Sequence, residues 1–385
     1  MSEYQYYEFL TIDRQLTEDE MAELRALSTR ATITPVSFTN EYNWGKFKGD
    51  PDTLMQRYFD AHVYVANWMA AIFMVRLPIE ALTRETTRAV AVPGMLDIEA
   101  TETHWIITWS MRESENYERF DMESGRGWMA RLVAVRDELL RGDLRSLYIG
   151  WLAAVAPEMM DDDEMEPLSV SGFGGLTAAQ QALAEFLEVD PDLLAGAGMG
   201  SLAAPKVEIS RQDIDRWIDA LPRDEVNSIL KHLLEGKGQQ AERSLRNRFV
   251  SWRRDLQAGD PGPSQRTVGE LLQNAEKARK IRLQKEKRDR VQRVSKRRKD
   301  REAHLKDLSG GFPGAWESVR EAVERGSGLG YDEASRALVD IAEAYGLFST
   351  KKQFQEELKK FMAGYTRRKA LIQRLVKAGI WKDQQ

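Results

Sequence analysis

Between Gly269 and Gly310 the chain has neither glycine nor proline, and within that stretch residues 277–301 carry 14 Lys and Arg against 3 acids. A run without helix breakers and with so few apolar positions predicts a long helix that water must solvate. Its expected span is 264–308, which at about 1.5 Å per residue reaches about 68 Å. The helix begins amphipathic, with Val268, Leu271, Leu272 and Ala275; beyond Ile281 its apolar positions thin to Leu283, Val291 and Val294. That spacing is too sparse for the continuous a/d seam of a coiled coil. Strong breaks flank it, Asp260-Pro261-Gly262-Pro263 before and Gly310-Gly311-Phe312-Pro313 after.

The basic stretch sits in an otherwise anionic molecule. The 385 residues have a net charge of only −5, but residues 1–200 hold 16 Lys and Arg against 34 acids, and residues 201–385 hold 40 against 27. The whole-chain balance therefore conceals a cationic segment able to meet phosphate or an acidic protein surface. Cysteine is absent and histidine occurs four times. This excludes a disulfide scaffold, a cysteine-ligated zinc finger, a thiol nucleophile and a cysteine-held iron–sulfur cluster. The first residues show no basic segment leading into an apolar one, and the longest apolar run, the 15 residues between Asp60 and Arg76, is short of the ~18–20 that span a bilayer. A cytoplasmic location with no membrane partner is expected.

Local patterns give an α+β fold class. Residues 4–12 are aromatic and β-prone. Thr17 and Glu20 make a capping box, with Leu16 and Met21 placed as a hydrophobic staple. Residues 31–38 are again β-branched, and Asp50-Pro51 starts a second helix. Strands are expected at 62–66 and 72–77. Trp105, Ile107, Trp109 and Met111 then alternate with smaller or polar residues, as in a half-buried strand. From Gly127 the period turns helical, with a break near Gly142. The organisation that follows is a mixed α+β head (1–157), an acidic and glycine-rich connection with one helix (158–206), a helical segment (207–258), the long basic helix (264–308) and a small helical bundle (313–385). In the connection, Gly196, Gly198 and Gly200 are expected to loosen the chain.

Two resemblances accompany these patterns. Tyr4, Tyr6, Tyr7 and Phe9, then Ile12-Asp13-Arg14, Asn40-Glu41-Tyr42, Trp44-Gly45, Phe47-Lys48-Gly49-Asp50-Pro51 and Tyr58-Phe59-Asp60-Ala61, resemble a family of bacterial proteins with no assigned activity. The tail, from Tyr331-Asp332-Glu333-Ala334 to Lys377-Ala378-Gly379-Ile380, is similar to the helical tail of some SWIM zinc-finger proteins. The zinc ligands of that group include cysteines, which this chain lacks, so the resemblance implies no metal.

The candidate binding residues are Lys277, Arg279, Lys280, Arg282, Lys285, Lys287, Arg288, Arg290, Arg293, Lys296, Arg297, Arg298, Lys299 and Arg301. Spread around a helix, they can neutralise several phosphates and release their counterions. The bland alternative is a solvated spacer, with Glu276 and Lys280, Glu286 and Arg290, and Asp289 and Arg293 as i,i+4 pairs. A loop with Trp44, Lys46, Phe47 and Lys48 could stack on bases, or its aromatics could anchor the loop to the core. The acids Asp161, Asp162, Asp163 and Glu164, with Glu158 and Glu166, lack calcium-loop spacing and read as a solvated linker. Gly172-Phe173-Gly174-Gly175 lacks the remainder of a phosphate loop and reads as a hinge. His62, His104, His232 and His304 have no ligand or triad spacing. No cofactor or metal is expected. The reading leans away from an enzyme, toward a binding or adaptor protein whose basic helix meets nucleic acid or an acidic partner. The alternative is an assembly protein in which that helix docks on the acidic head of another subunit. An enzyme with an unrecognised site in the head ranks third.

Overall fold

The structure, a computed structural model, describes residues 4–45, 47–68, 70–111, 125–155, 160–199, 201, 211–236, 238–257 and 265–382. It is α+β and divides into two compact units, Met1–Ile281 and Arg282–Gln385. No helix among the described residues is long and apolar enough to cross a membrane.

The first unit opens with β1 (Gln5–Leu10) and α1 (Glu18–Leu27). Thr17 and Glu20 close the expected capping box at the start of α1, and Leu16 and Leu24 are buried beneath it. The β-branched run after Ala31 forms a hairpin, β2 (Thr32–Thr34) and β3 (Ser37–Tyr42), because Pro35 interrupts it. Asp50 caps α2 (Pro51–Arg57), after which come β4 (Ala61–Ala66) and β5 (Ala70–Pro78). A short helix, α3 (Arg84–Val90), and the strand β6 (Leu96–Ala100) precede β7 (His104–Met111). All neighbouring strands pair antiparallel, in the order β2-β3-β1-β4-β5-β7-β6.

The period-two alternation sends side chains to two different cores. Val63, Val65, Phe73, Val75, Ile107 and Trp109 face the larger one. It is completed by α4 (Trp128–Leu132), α5 (Ala134–Leu140), α6 (Arg145–Leu152) and α7 (Ala178–Phe186). Gly142, with φ of +84°, makes the break expected between α5 and α6. Tyr7, Phe9, Phe38, Met74 and Ile106 face the other side, where α1 and α2 supply Leu24, Leu54 and Met55.

Next come α8 (Pro191–Gly198), α9 (Arg211–Ala220), α10 (Arg223–Leu234) and α11 (Gly238–Gln257). Gly196 and Gly198 lie inside α8 rather than loosening the chain; Gly200 lies outside the described residues. A Cβ on Gly196 would stand 2.4 Å from the Ala275 nitrogen, so glycine is what lets α8 touch the backbone of α12 (Val268–Ser309). Val268 and Leu271 of α12 are buried in the larger core.

The second unit holds the remainder of α12 and a bundle of α13 (Phe312–Glu324), α14 (Gly328–Phe348), α15 (Lys351–Ala363) and α16 (Lys369–Lys377). The helical spacing of apolar residues in the tail predicts four amphipathic stripes, and these meet: Trp316, Val319, Leu338, Ile341, Phe354, Leu358, Leu371 and Leu375 form its core.

Candidate functional site

The basic helix does not start where Ser264 would cap it; that residue lies outside the described ones. Thr267 caps α12 instead. Its N–H donates to Glu270 Oε2 at 3.0 Å, and its hydroxyl accepts from the Glu270 N–H at 3.2 Å. The acidic connection reinforces this end. The N–H groups of Val268 and Gly269 donate to the carbonyls of Glu164 and Asp162 at 2.8 and 2.9 Å. Asp161, Asp162, Asp163 and Glu164 keep exposed side chains beside a helix N-terminus, where negative charge is favourable. Glu166 departs from the solvated-linker expectation. It is buried and accepts from Arg266 at 3.0 Å and from the Tyr148 hydroxyl at 2.7 Å. Glu158 lies outside the described residues. Among the described residues no group of three His, Cys, Asp or Glu side chains is placed to hold a metal ion.

Beyond this anchor the helix surface is bare. Every side chain from 279 to 300 is exposed except Asp289, which is half-buried. The expected ion pairs form only in part. Glu276 pairs with Lys280 at 3.6 Å and lies 3.9 Å from Arg279, but Glu286 takes Arg282 at 3.0 Å rather than Arg290. Lys277 donates to Asn274, and Arg298 pairs with Glu302 at 2.9 Å. Arg301 belongs with the bundle: it is half-buried and bridges Asp340 at 2.7 Å and Glu343 at 2.5 Å. Both carboxylates hold its guanidinium above the usual arginine range. That leaves Lys285, Lys287, Arg288, Arg290, Arg293, Lys296, Arg297 and Lys299 exposed and without an ion-pair partner among the described residues.

The aromatic loop is split. Trp44 is 65% exposed and Lys48 is exposed. Phe47 instead packs on Tyr7 at 4.9 Å and Phe38 at 5.7 Å between ring centroids, as an anchor rather than a platform. Lys46 lies outside the described residues. In the glycine-rich loop, Phe173 is buried against Tyr148, and Arg145 donates to the Gly172 and Gly175 carbonyls at 3.0 Å each, which pins the loop. Of the histidines, His62 is buried and His104 and His232 are half-buried; His304 lies 3.4 Å from Asp340 on the bundle.

A second charged constellation was not singled out by sequence reasoning. Asp60 and Arg76, the two residues that bound the longest apolar run, meet at 2.8 Å at one end of the sheet. Asp60 also accepts from the N–H groups of Ile12 and Asp13. Burial works to raise its pKa, but Arg76, Arg136 and those two amides outweigh burial and hold the carboxyl below the usual aspartate range. Arg136, 1% exposed, donates to the Arg76 carbonyl at 2.8 Å and to Asp13 at 2.6 Å, while its Nη1 finds no hydrogen-bond partner among the described residues. Asp13, Arg76 and Arg136, with Arg14, Glu80 and His104, line a cleft of about 500 Å³. Burial first, and then Arg76, lower the His104 pKa. Arg14 is already bound to Glu20 through two contacts of 2.7 Å, so the cleft is an internally neutralised ionic network. The signal available in the sequence was a single charge at each end of an apolar strand pair, which has no partner within reach except across the sheet. No family model, curated protein or solved structure matches this chain.

Proposed function

We propose that the chain is a non-enzymatic nucleic-acid-binding protein that uses the exposed basic part of α12. One observation carries the reading: eight basic side chains between residues 285 and 299 are exposed and have no ion-pair partner among the described residues. A helix of that length rises about 21 Å, along which duplex DNA presents about 12 phosphates. Because the charges encircle the helix, about four of them meet a duplex at once. Binding of this kind reads backbone charge and not base sequence. The unpaired residues support it over the spacer reading, in which carboxylates on the same helix would neutralise them.

The test is a salt series of DNA and RNA binding by fluorescence anisotropy. The expected slope of log K against log salt is about −4. The triple variant Arg297→Glu, Arg298→Glu, Lys299→Glu is expected to bind at least about tenfold more weakly, with a shallower slope. Equal binding by the variant overturns the proposal. Mass that grows with protein concentration in the absence of nucleic acid would favour docking of the helix on the acidic head of a second copy.

A further inference from the structure

The sheet face that carries Tyr7 and His62 is covered by α1 and α2 on the β1 side. Toward β6 it opens into a cleft of about 290 Å³ whose lining includes Tyr7, Asp52, His62, Tyr64, Asp97 and Glu99, and no Lys or Arg. We propose that this cleft binds a small organic cation, an aliphatic amine or guanidine of about the size of agmatine. The proposal is independent of the basic helix and of nucleic acid.

Three features converge. The first is charge: Asp52 and Glu99 are exposed and have no ion-pair partner among the described residues, and Asp97 accepts only the Gly94 N–H, at 3.0 Å and 3.2 Å. The second is a buried acceptor. His62 is 1% exposed, and its Nδ1 lies 3.0 Å from the Glu8 carbonyl. A carbonyl can only accept, so Nδ1 carries the proton and Nε2 presents a lone pair. Nε2 has no hydrogen-bond partner among the described residues, and the ring lines the cleft. Burial lowers the His62 pKa to about 3, which keeps the ring neutral and the lone pair available. The third is the pair of tyrosine rings, Tyr7 and Tyr64, 4.7 Å apart, whose faces attract a cation.

Together these are acceptors and π-faces with no donor cation of their own. They are too dispersed for a metal ion, since no three of them cluster at ligand spacing among the described residues. The cleft is also larger than a bare ion needs. An elongated cation with several N–H donors satisfies both conditions: one end can reach the His62 lone pair while the charge lies between the carboxylates. Partial desolvation by the cleft wall, and then the neighbouring Asp50 charge, raise the Asp52 pKa, and a bound cation would offset that repulsion.

The experiment is calorimetric titration of the full chain with agmatine at low salt, read alongside the ¹⁵N resonance of His62 Nε2. Saturable 1:1 binding with a shift of that resonance is expected. The double variant Asp52→Asn, Glu99→Gln removes two exposed carboxylates that have no ion-pair partner among the described residues, and is expected to weaken binding about tenfold. Glu102→Gln, outside the cleft on the same hairpin, is expected to bind like the parent. 4-Guanidinobutyrate keeps the guanidinium but carries a carboxylate at the end where agmatine has its ammonium, and is expected to bind at least about tenfold more weakly. The proposal is overturned by an absence of saturation at millimolar agmatine, by equal binding to the double variant, or by equal binding of 4-guanidinobutyrate.

Discussion

At the residue scale, the ionic network at the end of the sheet decides more than the exposed charges do. Asp60 has no exposed surface, and each of its oxygens is engaged: Oδ1 by Arg76, Oδ2 by two backbone amides. Asp60→Asn keeps the shape but leaves Arg76 and Arg136 buried without that counter-charge. Its cost is expected to be about 3–5 kcal/mol in urea unfolding at neutral pH. The pH dependence has a definite sign. The folded carboxyl titrates below its ordinary value of 3.8, so the folded state binds fewer protons than the unfolded one in that range. Its stabilisation is present above the ordinary value and is lost as pH falls through the lower folded value. The variant is expected to show a shallower acid-side decline; an unchanged decline would place the responsible carboxylates elsewhere. None of this network is legible from local spacing. Asp13, Asp60, Arg76 and Arg136 are far apart in the chain and meet only through the β4–β5 register and the packing of α5 on the sheet. Thr17 and Glu20 are the opposite case, since both partners of that cap lie within one turn.

At the element scale, the patterns that depend on neighbours two to four residues away over a long enough run were readable, and those set by contacts between elements were not. The alternation from Trp105 to Met111 and the four stripes of the tail correspond to β7 and to α13–α16. β6 escaped although Leu96-Asp97-Ile98-Glu99-Ala100 alternates apolar and acidic, because five residues are too short a run to stand out, and its partner β7 supplies the order. Gly196 escaped for a related reason. A glycine inside a short segment reads as a break, whereas here it is the contact point of α8 with α12. This yields a prediction about the seat of the basic helix. Gly196→Val puts side-chain carbons where the Ala275 backbone stands, and helix propensity alone would favour the change. Steric overlap is expected to win, with a loss of about 2–3 kcal/mol and faster amide exchange across residues 271–278. A variant as stable as the parent, with unchanged exchange there, would mean that the two helices do not depend on this contact.

At the scale of the whole molecule, the charge asymmetry was fully legible, because it needs only counting. The division of the core was not, because it depends on which stripes meet. The larger core takes Val268 and Leu271 from the start of α12, whereas Leu308 near its end packs on the bundle core around Leu338. From residue 279 to residue 300 the helix gives no side chain to either core. Cooperative unfolding is transmitted by shared burial, and a solvated stretch of helix shares none. The two units are therefore expected to melt as separate transitions in calorimetry. Leu338 has no exposed surface, so Leu338→Ala is expected to cost the bundle about 2–5 kcal/mol. For a unit of this size that lowers its own transition by about 10 °C or more. The transition of the sheet-containing unit is expected to stay within about 1 °C of its parent value, since distant sites with no shared partners act independently. A single transition that moves as a whole in the variant would show that the charged stretch couples the two cores despite burying nothing. In that case the helix would be a mechanical link, and reversing its charges at Arg297, Arg298 and Lys299 would alter thermal stability.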